Sequence, residues 1–355
     1  MNKSDIAKAR LFNQQIAASN FTQPEEIVRW FGAMQAQDYP MAKWAIGLRI
    51  PGATESTVEK AIADGRILRS HLMRPTWHFV AAEDIRWLVK LSAPRLRSTS
   101  AGTFRTFGLD AAVCNRANDL IARMLEGGVH LTRAEIMAEL KKSGIDSDNY
   151  RASYLMFSAE IEGIVCSGAM RGKDQTYALL DERVPQPHEF SRDEAIAELT
   201  GRYFKSHAPA TLKDFIWWSG LPTADARKGL EMNDFASAEI EGQTFYLPKD
   251  FSMPEAETIS LYLLPSFDEF MVAYKDRSAA LDATRAGAAI TGNGIFKPVV
   301  VVGGQIAGVW KRSFKKDSVV IEKMMFGESN DFADEAFHKK AREFALFEGK
   351  NVQLS

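Results

Sequence analysis

The sequence predicts an α+β fold in which three tandem winged-helix units (helix-turn-helix plus β-hairpin) are followed by a C-terminal β-barrel-like domain with a terminal helix. Two observations support this prediction. Capping boxes, in which Ser or Thr is followed three residues later by an acidic residue, open helices at Thr22, Thr132, Ser191 and Thr211. Each helical run is followed by two short β-type segments around a turn, and this order occurs three times. Such recurrence indicates a repeated supersecondary unit.

The first unit, residues 1–109, is predicted to contain three helices, a hairpin and a basic helical extension. The Thr22–Glu25 capping box and a proline in the first turn open the second helix, whose apolar residues repeat at helical spacing. Thr54 caps the third helix and Gly65 ends it. The predicted helices are 5–18, 24–34 and 55–64, the predicted strands are 67–72 and 76–80, and another helix begins at Ala82.

The second unit, residues 110–186, and the third unit, residues 187–254, repeat this order, with a Pro185–Pro187 linker between them. Helices are predicted to begin at Asp110, Thr132 and Asn149 in the second unit and at Ser191, Thr211 and Thr223 in the third. The predicted hairpins pair 164–166 with 176–179 and 238–240 with 244–247.

Residues 255–355 are predicted to form the C-terminal β-barrel domain. A Gly303-Gly304 pair between two apolar runs is typical of a hairpin. The predicted strands are 259–264, 297–302, 305–310 and 318–325, and the predicted terminal helix is 331–347.

The composition is that of a soluble globular protein and restricts the possible functions. The 355 residues include 44 Lys and Arg against 46 Asp and Glu, a net charge of −2, so any nucleic-acid role depends on a local basic face. Cys114 and Cys166 are the only cysteines, which excludes a disulfide framework and a cysteine-rich zinc site. No apolar run approaches the length of a membrane span. We expect a cytoplasmic protein without a membrane partner.

Gln35 and Gln37 lie where the second predicted helix ends, ahead of Tyr39-Pro40. Residues at i and i+2 do not share a helical face, but they share one face of an extended chain. The two side-chain amides can therefore act on one point only if the backbone is extended here, which the following proline favours. The alternative is that they cap the last carbonyl groups of the helix.

The most basic stretch lies between Gly65 and Arg105, with eight positively charged residues against two acidic ones. Helix-turn-helix units commonly bind DNA while basic residues contact its phosphates. A solvated cationic face, or a scaffold for another protein, is the alternative. The candidates from this stretch and from the tip of the second hairpin are Arg69, Arg74, Arg95, Arg97, Arg105, Arg171 and Lys173.

Neither a metal site nor a cofactor site is predicted. His71 and His78 lie on neighbouring predicted strands, but no Cys or carboxylate lies at ligand spacing beside them. The acidic residues at 268, 269 and 276 lie near Lys275 and Arg277, so we interpret them as a structural ion-pair network. The sequence contains no G-x-G-x-x-G, P-loop or G-x-S-x-G element.

Several stretches resemble a known family, and the similarity runs from about residue 8 to residue 350. They are Gln35–Asp38, Arg69–His78, Leu264–Asp268, Tyr274–Arg277 and Gly308–Arg312. The chain resembles the bacterial winged helix DNA-binding domain family, whose characterised members are the AlkZ/YcaQ-type DNA glycosylases. Members of that family have three tandem winged helices and a C-terminal β-barrel around a DNA-sized channel, in agreement with the order of units predicted above.

The resemblance implies a monofunctional DNA glycosylase that removes bulky N7-alkylpurines, including those in interstrand crosslinks, from double-stranded DNA. The family's catalytic Gln-x-Gln motif corresponds to Gln35 and Gln37. A second matching stretch adds DNA-binding candidates, which are His71, Thr76 and His78 beside Arg74. Three units in one chain favour a monomer that wraps one duplex. The alternative is a non-catalytic winged-helix DNA-binding protein, either a regulator or a factor that shields damaged DNA.

Overall fold

The computed structural model describes residues 2–184, 189–252, 260–327 and 331–354. The Pro185–Pro187 linker, the start of the predicted strand 259–264 and the predicted boundaries at 186/187 and 254/255 lie outside these residues. The described part is a mixed α+β structure. None of its helices is both long enough and apolar enough to cross a membrane.

Along the chain, the helices and strands form three helical groups and a C-terminal region. The first, second and third groups contain the hairpins at residues 67–81, 165–179 and 235–248. The helices are α1 (Lys3–Asn13), α2 (Pro24–Phe31), α3 (Tyr39–Gly47), α4 (Glu55–Ala63), α5 (Ile85–Thr106), α6 (Ala111–Leu125), α7 (Arg133–Lys142), α8 (Tyr150–Ile161), α9 (Leu180–Arg183), α10 (Arg192–Ser206), α11 (Leu212–Ser219), α12 (Thr223–Glu231), α13 (Glu269–Val272), α14 (Ala286–Ala289) and α15 (Asp331–Phe347). The strands are β1 (Met34–Gln35), β2 (Ile67–Leu72), β3 (Thr76–Ala81), β4 (Leu131–Thr132), β5 (Val165–Ser167), β6 (Thr176–Leu179), β7 (Phe235–Ile240), β8 (Gln243–Pro248), β9 (Leu261–Leu264), β10 (Val299–Val302), β11 (Gln305–Phe314), β12 (Ser318–Met325) and β13 (Asn351–Leu354).

Four sheets organise these strands. Three small sheets have the orders β1-β3-β2, β4-β6-β5 and β7-β8, and each contains one of the three predicted hairpins. The largest sheet has the order β13-β12-β11-β10-β9 and is a half-barrel. Its strands are antiparallel except for β13, which pairs in parallel with β12. The short strands β1, β4 and β13 were not predicted from the sequence.

The local helix-start signals of the second and third groups are confirmed. The side chains of Thr132, Ser191 and Thr211 each accept a hydrogen bond from the backbone N–H three residues later, and the acidic residue there bonds back. Asp110 caps α6 in the same way, through the N–H of Val113. These contacts satisfy backbone donors that a helix start leaves unpaired.

Several predictions for the first group were wrong. The first helix, predicted at 5–18, is α1 (Lys3–Asn13). Helix α2 ends at Phe31 and not at residue 34, because Gly32 takes a left-handed conformation with φ of 80°. The box that opens α2 uses Glu26, whose carboxylate accepts from the N–H of Gln23. Glu25 instead pairs with Arg66 at 2.5 Å.

A further error was the omission of helix α3. We interpreted Pro40 as a residue that ends a helix, but it lies in the first turn of α3, where its missing N–H costs nothing. The Asp38 side chain accepts from the N–H of Met41 and so caps this helix. The Gln-x-Gln segment is therefore the connection between two helices.

The hydrophobic core joins the two ends of the chain. Helices α1, α2 and α3 pack against the half-barrel and α15, and the indole N–H of Trp44 donates to the carbonyl oxygen of Leu263 at 2.9 Å. The β2–β3 hairpin and α5 share a second core with α10, α11 and α12. The segment from α6 to β6 has a core of its own. As a result, the segment that carries Gln35 contacts the N-terminal hairpin and the start of the C-terminal region.

Candidate functional site

Strand β1 holds Gln35 in the extended conformation that the sequence predicts for the motif. Met34 lies opposite Phe79 and Gln35 lies opposite His78 in the antiparallel pairing with β3. The N–H of Ala36 continues the pairing by donating to the carbonyl oxygen of Trp77 at 2.7 Å. Gln35 is therefore fixed at the edge of a three-stranded sheet.

Two charged residues hold Gln35 on either side. The Nη2 atom of Arg74 donates to the side-chain oxygen of Gln35 at 3.0 Å. The backbone N–H of Gln35 donates to Oε1 of Glu269 at 2.7 Å. Only 8% of Gln35 is exposed. Both the position and the orientation of the amide are thus restricted.

Glu269 is a buried carboxylate, 1% exposed, that connects Gln35 to the third helical group. Its Oε2 atom accepts from the indole N–H of Trp218 at 2.9 Å and lies 3.4 Å from Nε2 of His207. Burial lowers the pKa of His207 despite this carboxylate, so the imidazole is neutral at pH 7. Burial lowers the pKa of Arg74, and the charge of Glu269 opposes this effect.

The neighbouring Asp268 is fixed by Arg49, which lies just after the end of helix α3. Nη1 and Nη2 of Arg49 donate to the two carboxylate oxygens of Asp268, each at 2.9 Å, and both side chains are fully buried. We expected Asp268 and Glu269 to pair with Lys275 and Arg277, and this expectation was wrong. Their long-range partners lie more than 200 residues earlier in the chain, on α11, or at His207 directly after α10.

Gln37 and Asp38 differ from Gln35 in their surroundings. Gln37 is exposed, in the bend that follows β1. The Asp38 carboxylate accepts from the hydroxyl of Ser266 at 2.7 Å and from the N–H of Met41 at 3.4 Å. It therefore serves as a helix cap and a link to the loop after β9.

Arg69 contacts the backbone of the motif from β2, the strand on the far side of β3. Its Nε atom donates to the carbonyl oxygen of Ala36 at 3.0 Å, and Nη1 donates to Gln175 at 2.5 Å. The guanidinium carbon lies 4.0 Å from the ring centroid of Trp77. Burial lowers the pKa of Arg69 to about 10, and the group remains cationic at pH 7. Arg69 is 6% exposed.

The remaining candidates on the first hairpin lie close to the motif. His78 is fully buried and its Nδ1 donates to the carbonyl oxygen of Thr76 at 2.9 Å, so its Nε2 carries the lone pair. Burial lowers the pKa of His78 to about 3. Nε2 of His78 and the hydroxyl of Thr76 find no hydrogen-bond partner among the described residues. His71 pairs with the buried Glu160 through Nδ1.

The other basic candidates are spread along α5 and the second hairpin. Arg95 and Arg105 are exposed on α5, and Lys173 is exposed at the hairpin tip. Arg97 pairs with Glu162 at 2.6 Å. Arg171 pairs with Glu135 at 2.6 Å. The structure brings Arg69, Arg74, Thr76 and His78 around Gln35, whereas these five residues lie on other elements.

A protein-family model matches most of the chain. The family described as DNA glycosylase AlkZ-like matches residues 28–347, which include the motif, all three hairpins and most of the half-barrel. The chain belongs to the AlkZ-like DNA glycosylase family.

Two comparisons with individual proteins agree with this assignment. A curated relative, the interstrand DNA cross-link repair glycosylase of Streptomyces sahachiroi, is 23% identical over 313 residues, which cover 82% of this chain and 83% of that protein. The solved structure of the S. sahachiroi DNA glycosylase AlkZ has the same fold, with a TM-score of 0.80 at 21% identity over the full length of both chains.

The AlkZ-like chain also places an exposed aromatic residue beside Arg74, and this residue is not among the candidates predicted from the sequence. Trp217 on α11 is 40% exposed, and its indole N–H donates to the carbonyl oxygen of Val272 at 3.0 Å. The guanidinium carbons of Arg74 and Arg277 each lie 5.7 Å from its ring centroid. Burial, together with the neighbouring charge of Arg74, lowers the pKa of Arg277 to about 10.

Long sequence separation hid these contacts from the sequence analysis. Glu269 lies 234 residues after Gln35, and no local spacing relates the two positions.

The described residues contain no group of three or more His, Cys, Asp or Glu side chains placed to hold a metal ion.

Proposed function

We propose that this protein is a monofunctional DNA glycosylase that hydrolyses the N-glycosidic bond of bulky N7-alkylpurines in double-stranded DNA, including those in interstrand crosslinks. The observation that carries the proposal is the fixed amide of Gln35, whose oxygen is bonded to Arg74 and whose backbone is bonded to Glu269. A half-buried arginine and a buried carboxylate are costly to hold in place, and here they fix the side chain and the backbone of one neutral residue.

The chemistry suits such weakly reactive groups. An N7-alkylated purine is already cationic, so when the bond from N9 to C1′ breaks, the electron pair neutralises the leaving base. Positive charge then develops at C1′, and oriented amide oxygens stabilise it without being protonated. A water oxygen adds to C1′ and releases a proton to solvent. We propose that Gln35 and Gln37 orient that water and stabilise C1′.

The two amides divide these roles according to their exposure. Gln35 is held by Arg74 and is the fixed group, whereas Gln37 is exposed and free to contact the DNA. Positioning of a nucleophile in this way lowers the entropy cost of the reaction. Asp38 is excluded from the role of general base in this proposal because its carboxylate is occupied by Ser266 and by the start of α3.

We further interpret the three helix–hairpin groups as winged-helix units, with the domain boundaries given in the sequence analysis, that wrap one duplex as a monomer. Exposed Arg95, Arg105 and Lys173 are the residues proposed to contact phosphates. Arg69, Arg74, Thr76 and His78 are proposed to support the motif from within the protein. A net charge of −2 leaves DNA binding to these local groups.

The proposal is tested with a duplex that contains one N7-alkylguanine. The protein is expected to release the free modified base and leave an abasic site, and a duplex crosslinked through N7 of guanine is expected to be unhooked. Release from neither substrate by a folded protein that binds the duplex would overturn the proposal. That outcome would favour the alternative of a non-catalytic DNA-binding protein, and selective binding of an undamaged palindrome would identify it as a regulator.

A further inference from the structure

A cavity of about 430 Å³ lies between the β2–β3 hairpin, α5 and α8. This volume is within the range of small-molecule sites in proteins. Five aromatic side chains line it, namely Trp77, Tyr150, Tyr154, Phe157 and Tyr177. No activity discussed above uses these residues.

One buried acid lines the same cavity. Glu160 is 1% exposed, its Oε2 contacts Nδ1 of His71, and its Oε1 accepts from the indole N–H of Trp77 at 3.3 Å. A carboxylate has about four acceptor positions, and the described contacts occupy two of them. The carboxylate is therefore a fixed acceptor in an aromatic surrounding.

Trp77 connects this cavity to the Gln-x-Gln segment. Its backbone carbonyl oxygen accepts from the N–H of Ala36 at 2.7 Å, and its ring is contacted by Arg69, which also bonds to Ala36. On the other strand, the ring centroid of His71 lies 4.8 Å from that of Trp77. The cavity wall residue Trp77 is thus bonded to Ala36, the residue between Gln35 and Gln37.

We propose that this cavity binds the guanine base of an N7-alkylated nucleotide after the nucleotide has left the helical stack. This inference rests on the proposed function, and it names the part of the protein that distinguishes the damaged base. The aromatic rings stack on the cationic purine, which they bind more strongly than a neutral one. Glu160 accepts from the N1–H and the exocyclic amine of guanine, two donors on one edge.

The charged groups at the cavity are few. Arg133 is exposed, bonds to Ser153 at 3.4 Å and also lines the cavity, where a nucleotide phosphate would be its natural partner. His71 is held by Glu160. Glu160 is the only acidic residue in the described lining, so the preference for a cationic base is assigned to it and to the rings.

The test uses two nucleosides that differ by one methyl group and one charge, namely 7-methylguanosine and guanosine. Binding to the full-length protein is followed by tryptophan fluorescence and checked by calorimetry. We expect 7-methylguanosine to bind roughly tenfold more tightly than guanosine. Equal affinities for the two nucleosides, or no binding of either at millimolar concentration, would overturn the proposal.

Three variants locate the binding site. Glu160→Gln preserves shape and is expected to remove most of the tenfold preference, while Tyr150→Ala, at a residue that is 72% exposed, is expected to weaken binding of 7-methylguanosine without risk to folding. Phe314→Ala is the matched control, because Phe314 is 49% exposed and does not line the cavity. Unchanged binding in both cavity variants would refute the assignment.

Failure of this inference is distinguishable from failure of the proposed function. Nucleoside binding requires no bond cleavage, so an inactive protein that discriminates the two nucleosides would retain the inference and lose the glycosylase. Base release by a protein that binds neither nucleoside would support the glycosylase and refute the inference.

Discussion

The backbone N–H of Gln35 donates to the buried carboxylate of Glu269 across 2.7 Å. This bond joins the first sheet to α13 at the start of the C-terminal region, and Trp218 from the third helical group donates to the same carboxylate. Three distant parts of the chain therefore meet at one residue. Because Gln35 is fixed from its backbone and from its side chain, the site is organised before DNA arrives.

Replacement of Glu269 by Ala leaves the N–H of Gln35 and the indole N–H of Trp218 without acceptors. Each unsatisfied buried donor costs about 1–3 kcal/mol, so we expect the free energy of unfolding in urea to fall by about 2–5 kcal/mol. Glu269→Gln keeps one acceptor oxygen, so we expect it to lower the free energy of unfolding by about half as much. Glu335→Ala, at an exposed position, is the control. A loss below about 1 kcal/mol in Glu269→Ala would contradict the role of this bond.

Arg74 is expected to act on the chemical step through Gln35. We expect Arg74→Ala to lower the single-turnover rate of base release by roughly 10- to 100-fold, because the Gln35 amide loses its fixed orientation. DNA affinity should change much less. Arg123→Ala, an exposed arginine on α6, should change neither quantity.

A different result for Arg74→Ala would give Arg74 a different role. If the rate is unchanged while the salt dependence of binding falls by about one unit of slope, Arg74 contacts a phosphate and does not orient Gln35. Arg74→Lys retains the charge and separates the two roles, since it should preserve phosphate binding but not the bond to Gln35.

The Arg49–Asp268 pair is expected to be essential for folding stability. Both side chains are fully buried, and removing one partner of such a pair leaves an uncompensated charge that costs about 3–5 kcal/mol. We expect Asp268→Ala to show this loss in urea unfolding. The double variant Arg49→Met/Asp268→Leu should be more stable than Asp268→Ala alone. A double variant less stable than the single one would show that the pair contributes net stability of its own.

His78 makes stability depend on pH in a definite direction. Its pKa in the folded protein is about 3, below the value of about 6.5 in an unfolded chain. As the pH falls, the imidazole is therefore protonated in the unfolded state before it is protonated in the folded state. The contribution of His78 to the free energy of unfolding is complete above pH 6.5 and is lost as the pH falls toward 3. Between pH 7 and pH 5 the contribution of His78 is about 2 kcal/mol.

The variant His78→Gln distinguishes the contribution of His78 to this pH dependence from that of His207, whose pKa is also lowered by burial. We expect His78→Gln to reduce the loss of unfolding free energy between pH 7 and pH 5, measured in urea at both pH values. The same loss in His78→Gln and in the native protein would contradict the assignment to His78.

Local signals in the sequence predicted most helices, the hairpins of the three helical groups and the β10–β11 hairpin. The Thr132, Ser191 and Thr211 boxes are contacts between residues three apart, so spacing alone reveals them. Pro40 shows the limit of such signals, because a proline is compatible both with the end of a helix and with its first turn. Only the capping bond from Met41 to Asp38 decides between them.

The motif was recognisable from the sequence, but its surroundings were not. The partners of Gln35, Asp268 and His71 are contributed by residues that lie 39 to 234 positions away. Their pairing follows from how the first sheet, the half-barrel and α8 pack together, and no periodicity encodes that packing. For this reason Glu269 was interpreted as part of an ion-pair network, and Glu160 was not singled out.

The most direct test of the account is single-turnover base release from a duplex with one N7-methylguanine. We would compare the native protein with Gln35→Ala, Gln37→Ala and the double variant, and use Gln353→Ala, exposed on β13, as the matched control. The account requires release by the native and control proteins, reduced release by each single variant and none by the double variant. Release at the native rate by a folded, DNA-binding double variant would contradict it.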